Sequence, residues 1–206
     1  MSLRVAVDRL LCDQRWTERR RLLRAFAKSP AETGAVAPSS RELAALMAAE
    51  MGLDRAETVV ELGAGTGVVT EAIAARAARD AVIIALELNP GLAKPLVARF
   101  PMLHIVNECA ERLPEVLRDC GRDAADAILS ALPWASFPPD RQERLLDAIV
   151  LSLRRGGRFC AVAYLHAAWL PAGRGFRHRL ERRFSSVSTT EVVWGNLPPA
   201  FVYRCR

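Results

Sequence analysis

Three glycines at alternate positions follow an apolar run and an acid between residues 59 and 70. The run Val-Val-Glu-Leu leads into Gly63, Gly65 and Gly67, and apolar, helix-compatible residues follow. A strand that turns sharply into a helix while its backbone touches a ligand needs residues without a Cβ atom. The dinucleotide-binding fingerprint would have glycine at Val68, and no acid such as Glu61 before the loop. The segment therefore predicts a loop for a ligand with a charged amino-acid tail.

A second acid stands at the end of the next predicted strand. The apolar run from Ala81 to Leu86 ends in Glu87, at about the twenty-residue interval where an acid accepts hydrogen bonds from ribose hydroxyl groups. Together, the loop and this acid resemble the S-adenosylmethionine site of Rossmann-like methyltransferases. They predict that cofactor, with S-adenosylhomocysteine as product. A glycine turn in another kind of α/β domain would not account for the second acid.

Strand and helix patterns alternate around these residues. This alternation predicts an α/β fold, a Rossmann-like, doubly wound, mostly parallel seven-stranded sheet with helices on both faces. Ser39 and Glu42 have the spacing of a capping box, which predicts a helix from there to about Met51. We predict strands at residues 57–62, 82–87, 103–106, 125–129 and 158–164, helices at 69–78, 91–99, 110–119 and 140–154, and final strands near 186–194 and 201–204.

Length and composition fit one catalytic domain. The chain has 206 residues, of which 51% are hydrophobic, and its apolar runs are too short to span a bilayer. The first residues lack the apolar core of a signal peptide, so we expect a cytoplasmic chain. Its five cysteines are scattered and lack paired metal-ligand spacing, which predicts reduced thiols and no metal site.

Most of the net charge lies at the N-terminus. Residues 1–30 carry eight basic and three acidic residues, a net of +5 of the total +6. Apolar side chains recur there at helical spacing, which predicts two amphipathic helices preceding a methyltransferase domain at residues 31–206. Three interpretations stay open. In the first, the arm caps the domain. In the second, it contacts nucleic acid. In the third, residues 1–28 bind anionic lipid on the inner face of the membrane, with Trp16 near the head groups.

Ligands of open α/β sheets lie beyond the carboxyl ends of the strands, so site residues are expected there. The third strand is followed by Glu108 and Cys109, a place that suits the adenine ring. The fourth ends at Ser130, where the methyl group would leave the cofactor. The predicted cofactor contacts are Ser39, Glu61, Gly63, Ala64, Gly65, Thr66, Gly67, Glu87, Leu88, Glu108, Cys109, Ala110 and Ser130.

Four motifs make the chain resemble the bacterial phospholipid N-methyltransferases, relatives of the rRNA adenine dimethylases. They are residues 34–40, the glycine loop, Ser-Ala-Leu-Pro at 130–133 with Phe-Pro at 137–138, and Asn-Leu-Pro-Pro-Ala at 196–200. The resemblance implies methyl transfer to the amine of phosphatidylethanolamine or its methylated derivatives, giving phosphatidylcholine or its precursors. The chain departs from the family at Cys109, where an acid is usual, and at Trp134, where many relatives are aliphatic.

An RNA substrate is weighed against the lipid by the residues that would hold a base. Nucleobase amine methylases commonly place Asn or Asp first in a tetrapeptide that ends in an aromatic residue. The aligned residues here are Ala131 to Trp134, and alanine cannot accept the amine hydrogens. We also expect no separate C-terminal helical domain that would grip an RNA duplex. We therefore favour a phospholipid partner over RNA, expect no DNA partner, and keep small-molecule and RNA methylation as alternatives.

The acceptor amine has to be positioned and deprotonated. An alkylammonium with a pKa of about 10 is mostly protonated at neutral pH, and desolvation or a proton relay would make it reactive. Tyr164 and His166, just past the fifth strand, are the candidate catalytic residues. Arg177 lies in a basic segment, residues 174–183, that could hold a lipid phosphate and insert Phe176 into lipid. The predicted substrate contacts are Leu132, Pro133, Trp134, Arg177 and Asn196.

Overall fold

The computed structural model describes residues 39–49 and 51–206. The predicted basic arm, residues 1–30, and the linker up to residue 38 lie outside the described residues. The described part forms a seven-stranded sheet with the order β3-β2-β1-β4-β5-β7-β6. All neighbours are parallel except β7, which runs antiparallel to both β5 and β6. The predicted sheet is confirmed.

Strands and helices alternate along the chain. The strands are β1 Thr58–Leu62, β2 Val82–Leu86, β3 His104–Val106, β4 Ala125–Ser130, β5 Leu153–Tyr164, β6 Val187–Thr189 and β7 Ala200–Cys205. The helices are α1 Arg41–Ala49, α2 Val68–Ala74, α3 Pro90–Arg99, α4 Leu113–Asp119, α5 Pro139–Ser152, α6 Leu165–Ala168 and α7 Pro171–Arg183. Short 3-10 turns lie at Leu53–Arg55, Ala110–Arg112 and Trp134–Ser136.

Apolar cores cover both faces of the sheet. On one face, Leu43 and Met47 of α1 and Ile73 of α2 pack with strand residues such as Cys160. Successive side chains of a strand point to opposite faces, so Phe159 points the other way. Its ring contacts Trp134 and Phe184, beneath α5 and α7. The central strands are therefore buried on both sides, as their continuous apolar runs predict.

The start of α1 differs from the predicted capping box. The Ser40 Oγ atom, not that of Ser39, accepts a hydrogen bond from the Leu43 N–H at 3.1 Å. The Ser40 carbonyl also accepts the first helical bond, from Ala44. The N-cap is therefore Ser40, one residue later than predicted. Two consecutive serines precede the helix, and the spacing to Glu42 favoured the first of them. Ser39 lies just before the cap and is half-buried.

Other differences concern element boundaries. The predicted helix at 110–119 begins as a 3-10 turn, and α4 starts only at Leu113. Strand β5 starts five residues before the predicted Arg158, because Leu153 already pairs with Ala125. The strand predicted near 186–194 is only three residues long. None of the helices within residues 39–49 and 51–206 has the length and apolar character that a membrane span needs.

Candidate active site

The glycine loop joins β1 to α2 at the point where the strand order reverses. The φ angles of Gly63, Gly65 and Gly67 are 81°, 56° and 84°, which side chains with a Cβ rarely adopt. A Cβ atom on Gly67 would lie 2.6 Å from the Leu96 Cδ2 atom, so α3 packs directly against the loop. A Cβ atom on Gly65 would meet nothing closer than 4.0 Å. The backbone at Gly65 therefore faces open space beyond the strand ends.

Glu87 links the loop to the end of β2. Its two carboxylate oxygens accept hydrogen bonds from the N–H groups of Gly65 and Asn89, at 2.8 and 2.7 Å. An ionised carboxylate offers about four lone-pair sites, so Glu87 retains acceptor capacity for ligand hydroxyl groups. The same contacts hold the loop and the second strand end together. Leu88 follows and is half-buried.

Glu61 is fully buried at the end of β1 and has one unpaired oxygen. Its Oε2 atom accepts a hydrogen bond from the Thr70 hydroxyl group at 2.6 Å. Its Oε1 atom is buried and has no partner among the described residues. Burial, opposed by the Thr70 bond and reinforced by the nearby charge of Glu87, raises the pKa of Glu61 to about 7. A buried acceptor without a donor is the feature expected where a ligand supplies the missing group.

The third strand end is held by an amide. The Asn107 side chain donates to the carbonyl oxygens of Glu87 and Leu88, at 2.7 and 3.1 Å. Glu108 folds back, accepting from the Cys109 N–H at 2.8 Å and pairing with Arg112. The Ala110 side chain is buried. The ends of β2 and β3 are therefore tied together, while contacts of Glu108, Cys109 and Ala110 with adenine stay predictions.

A buried cation lies beside Cys109. The guanidinium group of Arg141 pairs with Glu111 at 3.1 Å and lies over the Phe137 ring at 4.5 Å. One of its nitrogens is 4.0 Å from the Cys109 sulfur atom. Cys109, which is predicted to lie near the adenine ring, is thus next to a positive charge that two other groups already accommodate.

The turn after β4 corrects one prediction. Trp134 is 2% exposed, and its ring stacks on Phe176 with the ring centroids 4.5 Å apart. Its indole N–H donates to the Ser130 hydroxyl group at 3.1 Å. The prediction that Trp134 contacts the acceptor is therefore wrong, because the 3-10 turn directs the ring into the core.

Residues around that tryptophan remain near the site. Leu132 is half-buried, and its Cδ2 atom would be 3.0 Å from a Cβ atom on Gly63. Pro133 is also half-buried. The Ser130 hydroxyl group also accepts from the Leu132 N–H at 3.4 Å, so its side chain positions the turn. Leu132 thus borders the glycine loop, and the roles of Leu132, Pro133 and Ser130 toward ligands stay predictions.

Tyr164 and His166 lie together past the end of β5. Tyr164 is half-buried, and its ring centroid is 6.1 Å from that of the exposed His166. Burial raises the pKa of the Tyr164 phenol, so the phenol keeps its proton at neutral pH. It can therefore donate or accept one hydrogen bond but is a poor proton acceptor. The roles of Tyr164 and His166 in positioning and deprotonating the acceptor stay predictions.

The basic segment is a helix whose apolar side is buried. Phe176 of α7 is 2% exposed beneath Trp134, so the prediction that it inserts into lipid is wrong. Arg177 is exposed and pairs with Glu181 at 2.8 Å. Arg179 and Arg183 pair with Glu143 of α5. Two of the five arginines in the predicted phosphate-binding segment, residues 174–183, therefore fasten α7 to α5, and Arg177 stays a predicted substrate contact.

Asn196 has a structural position. It is 2% exposed, its side-chain oxygen accepts from the Ser40 N–H at 2.8 Å, and its side-chain nitrogen donates to the Pro198 carbonyl at 2.7 Å. Both ends of the amide are thus engaged by the backbone. The predicted substrate contact is corrected: Asn196 fastens the segment before β7 to the start of α1.

The loop and its acids fit S-adenosylmethionine. The backbone at Gly65 is open, so a ligand can approach it closely. Glu87 has spare lone pairs and Glu61 has the unpaired Oε1 atom, so both can accept hydrogen bonds from polar groups of the ligand. When bound, this cofactor supplies a methyl group on a positively charged sulfur atom. Glu61 and Glu87 would hold the amino-acid and ribose parts, and a cationic ligand would favour the ionised form of the buried Glu61 carboxyl group.

Comparison with solved structures shows the same fold. An O-methyltransferase of tomaymycin synthesis from Streptomyces achromogenes, solved with S-adenosylmethionine, has a TM-score of 0.62 at 20% identity, over 81% of this chain and 80% of that one. Fibrillarin from Aeropyrum pernix, also with S-adenosylmethionine, has a TM-score of 0.57 at 16% identity, over 78% and 72%. No family model matches the chain.

A sequence relative decides the family. The ornithine lipid N-methyltransferase of Singulisphaera acidiphila is 33% identical over 184 residues, which are 88% of this chain and 92% of that protein. The chain belongs to this family of S-adenosylmethionine-dependent methyltransferases. The methyltransferase therefore combines the shared fold and cofactor with the strand-end residues described above.

Sequence reasoning missed several residues that support the site of this methyltransferase. Thr70 holds Glu61, Asn107 holds the end of β2, and Arg141 lies beside Cys109. Asn107 carried a signal, because it directly follows β3 at the carboxyl edge of the sheet. Thr70 lies nine residues from Glu61, and only the turn of the glycine loop brings the two together.

Replacing Glu87 with alanine is expected to weaken cofactor binding by about 1–3 kcal/mol, the scale for losing hydrogen bonds to a charged group. The substitution also releases the N–H groups of Gly65 and Asn89. Calorimetric titration with S-adenosylmethionine measures the loss, and Glu71→Ala on the exposed side of α2 is the control. Unchanged affinity of Glu87→Ala would show that the ribose acid is misassigned.

Proposed function

We propose that this methyltransferase transfers methyl groups to the amine of a membrane phospholipid, phosphatidylethanolamine or its methylated derivatives. The observation that carries the proposal is the near full-length likeness to a relative named as a lipid N-methyltransferase. Ornithine lipids and phosphatidylethanolamine both present an amine at the end of a lipid. A lipid amine is therefore the acceptor class that the relative supports. That the lipid head group also carries a phosphate is our additional proposal.

The residues past β5 suit the amine. A half-buried phenol that keeps its proton can accept a hydrogen bond from a neutral amine or place its ring face against an ammonium group. Partial desolvation there lowers the pKa of an ammonium group and makes the neutral, reactive form more accessible. Tyr164 would thus orient the nitrogen toward the methyl group, and orientation is the main contribution that such a transfer needs.

The cations of α7 support a phosphate-bearing head group. Arg177 is exposed in the middle of α7, and it pairs with Glu181 of the same helix on the surface. Exposed pairs of this kind contribute about 0–1 kcal/mol, so Arg177 can exchange its partner for a phosphate group at little cost. Ornithine lipids lack a phosphate. Arg177 is therefore the residue expected to favour phosphatidylethanolamine.

Product analysis with two lipids tests the proposal. Vesicles that contain phosphatidylethanolamine or ornithine lipid are incubated with S-adenosylmethionine, and methylated products are identified by mass spectrometry. Methylated phosphatidylethanolamine supports the proposal, and Arg177→Ala is expected to lower its yield more than that of any ornithine lipid product. Methylation of ornithine lipid alone would overturn the phospholipid assignment. Methylation of a soluble amine or of RNA alone would overturn the lipid assignment.

The N-terminal arm is proposed as an anchor that holds the enzyme peripherally on the inner, anionic face of the cytoplasmic membrane. Its net charge of +5, from eight basic and three acidic residues among residues 1–30, suits anionic lipid. Deleting residues 2–24 is expected to reduce sedimentation with anionic vesicles while cofactor affinity stays the same. Full vesicle binding by the shortened chain would exclude the anchor, and a loss of RNA binding instead would favour a nucleic-acid role.

A further inference from the structure

Large apolar side chains are exposed in two segments near Tyr164, on the side of the domain where the acceptor is proposed to bind. Trp169 and Leu170, between α6 and α7, are 75% and 53% exposed. Trp194 and Leu197, between β6 and β7, are 70% and 73% exposed. Single exposed apolar residues are ordinary, but neighbouring ones mark an interaction surface.

Backbone pairing brings the two segments to the same place. The Leu165 N–H donates to the Pro199 carbonyl at 2.8 Å. Tyr164 is paired with Ala200, which also forms a bridge with Val193. Each exposed apolar residue is thus within five positions of one of these contacts. Both segments lie at the carboxyl end of β5, beside Tyr164.

Each segment is held so that its apolar residues stay outside. At the first, a Cβ atom on Gly173 would be 2.2 Å from the Ala167 carbonyl oxygen, so α7 packs tightly against α6. The Leu170 N–H also donates to that carbonyl at 3.2 Å. At the second, the buried amide of Asn196 accepts from the Ser40 N–H and donates to the Pro198 carbonyl. The exposure of Trp169 and Leu197 therefore follows from fixed turns.

The charges around these segments favour an anionic surface. Residues 164–180 contain three arginines and two histidines and no acid, and residues 192–199 contain no charged residue. Arg174 is exposed, four residues beyond Leu170. Two acids flank Trp194. Glu191 is three residues before it in the chain, and the Glu42 carboxylate would be 3.2 Å from a Cβ atom on the neighbouring Gly195. Arg177 and Arg179 are paired with Glu181 and Glu143, so the positive charge of the first segment lies at Arg174. The second segment is neutral, with acids at its border.

We propose that Trp169, Leu170, Trp194 and Leu197, with Arg174, form a membrane-docking rim at the acceptor entrance. The inference rests on the proposed lipid substrate, because a lipid that keeps its acyl chains in the bilayer can reach Tyr164 only if the entrance touches the membrane. Tryptophan rings prefer the head-group region, and arginines attract lipid phosphates. The rim is a second membrane contact in addition to the one proposed for the arm, and stable peripheral binding generally takes two signals.

The test uses the full chain with both rim tryptophans changed, Trp169→Ala with Trp194→Ala. The matched control is Met102→Ala with Leu151→Ala, which changes two exposed apolar residues, 90% and 75% exposed, near the amino ends of β3 and β5. Binding is measured by sedimentation with vesicles of phosphatidylethanolamine and phosphatidylglycerol. The rim variant is expected to bind about tenfold or more weakly, and the control variant as tightly as the unchanged chain. Equal binding by all three would overturn the rim.

A second measurement identifies a variant that merely misfolds. Calorimetric affinity for S-adenosylmethionine is expected to stay the same in the rim variant, and a parallel loss would overturn the proposal. In a Trp16→Phe chain, brominated lipid is expected to quench the fluorescence of the rim tryptophans, while the buried Trp134 is unaffected. Absence of quenching would contradict docking. A loss of quenching when the lipid-free chain forms dimers would also contradict it.

The rim and the lipid substrate can fail separately. Activity of the rim variant is expected to fall more on vesicles than on a short-chain phosphatidylethanolamine that is soluble as a monomer. An equal fall on both would place the tryptophans in substrate binding and overturn docking. Vesicle binding that depends on the rim, with no lipid methylated in any form, would overturn the proposed function and leave the rim standing.

Discussion

Replacing Gly65 with leucine is expected to weaken S-adenosylmethionine binding by more than about 100-fold, which is about 2.7 kcal/mol. The φ angle of Gly65 is 56°, and a Cβ atom there would point into open space beyond the strand ends. Leucine retains the N–H group that donates to Glu87. The side chain would therefore fill the space over the loop that the cofactor needs, and the domain would still fold.

Gly121→Leu is the matched control. Gly121 follows α4, its φ angle is 69°, and nothing lies within 4 Å of a Cβ atom built on it. Both substitutions cost about 1–2 kcal/mol for a left-handed conformation, so their melting temperatures should fall alike. Calorimetric titration would then separate them, since only Gly65→Leu loses the cofactor. Equal affinities would show that the loop does not border the cofactor.

Replacing Glu61 with glutamine is expected to remove a pH dependence of about 3 kcal/mol from the stability of the ligand-free domain. Burial raises the pKa of Glu61 from 4.5 to about 7. Between these values the folded chain holds a proton that the unfolded chain has released. The stability that this proton provides is complete below pH 4.5 and is lost as the pH rises through about 7.

Urea unfolding between pH 4.5 and 8 measures this effect. The difference in the free energy of unfolding between Glu61→Gln and the unchanged chain separates the contribution of Glu61 from those of other titrating groups. The Glu61→Gln variant should be more stable, relative to the unchanged chain, at the alkaline end of this range. Glu71→Gln, an exposed change on the same helix as Thr70, should retain the original slope. Parallel slopes for Glu61→Gln and the unchanged chain would show that Glu61 is ionised throughout.

The elements near the cofactor are those that sequence patterns predict best. Gly63, Gly65 and Gly67 have the positive φ angles that their residue type allows, and Glu87 directly follows β2, one residue from the predicted strand end. Here the signal and the structure are both local, because a turn and a strand end involve a few consecutive residues. The strand alternation extends this local information to the whole sheet through the rules of parallel connection.

The acceptor side was less predictable, because its side chains depend on distant partners. Trp134 is placed by Phe176, and Asn196 by Ser40, 156 positions away. Nothing adjacent to either residue indicates that its polar or aromatic group is already engaged. The same holds for Arg179 and Arg183 of α7, since their acidic partner on α5, Glu143, is 36 and 40 positions away.

The most direct test of the account is transfer of a labelled methyl group from S-adenosylmethionine to vesicles containing phosphatidylethanolamine and anionic lipid, with total RNA in a parallel reaction. The account predicts label in the lipid extract, its loss in Gly65→Leu and its retention in Gly121→Leu. Label in RNA alone, or in neither fraction while the cofactor still binds, would contradict a lipid amine as the acceptor.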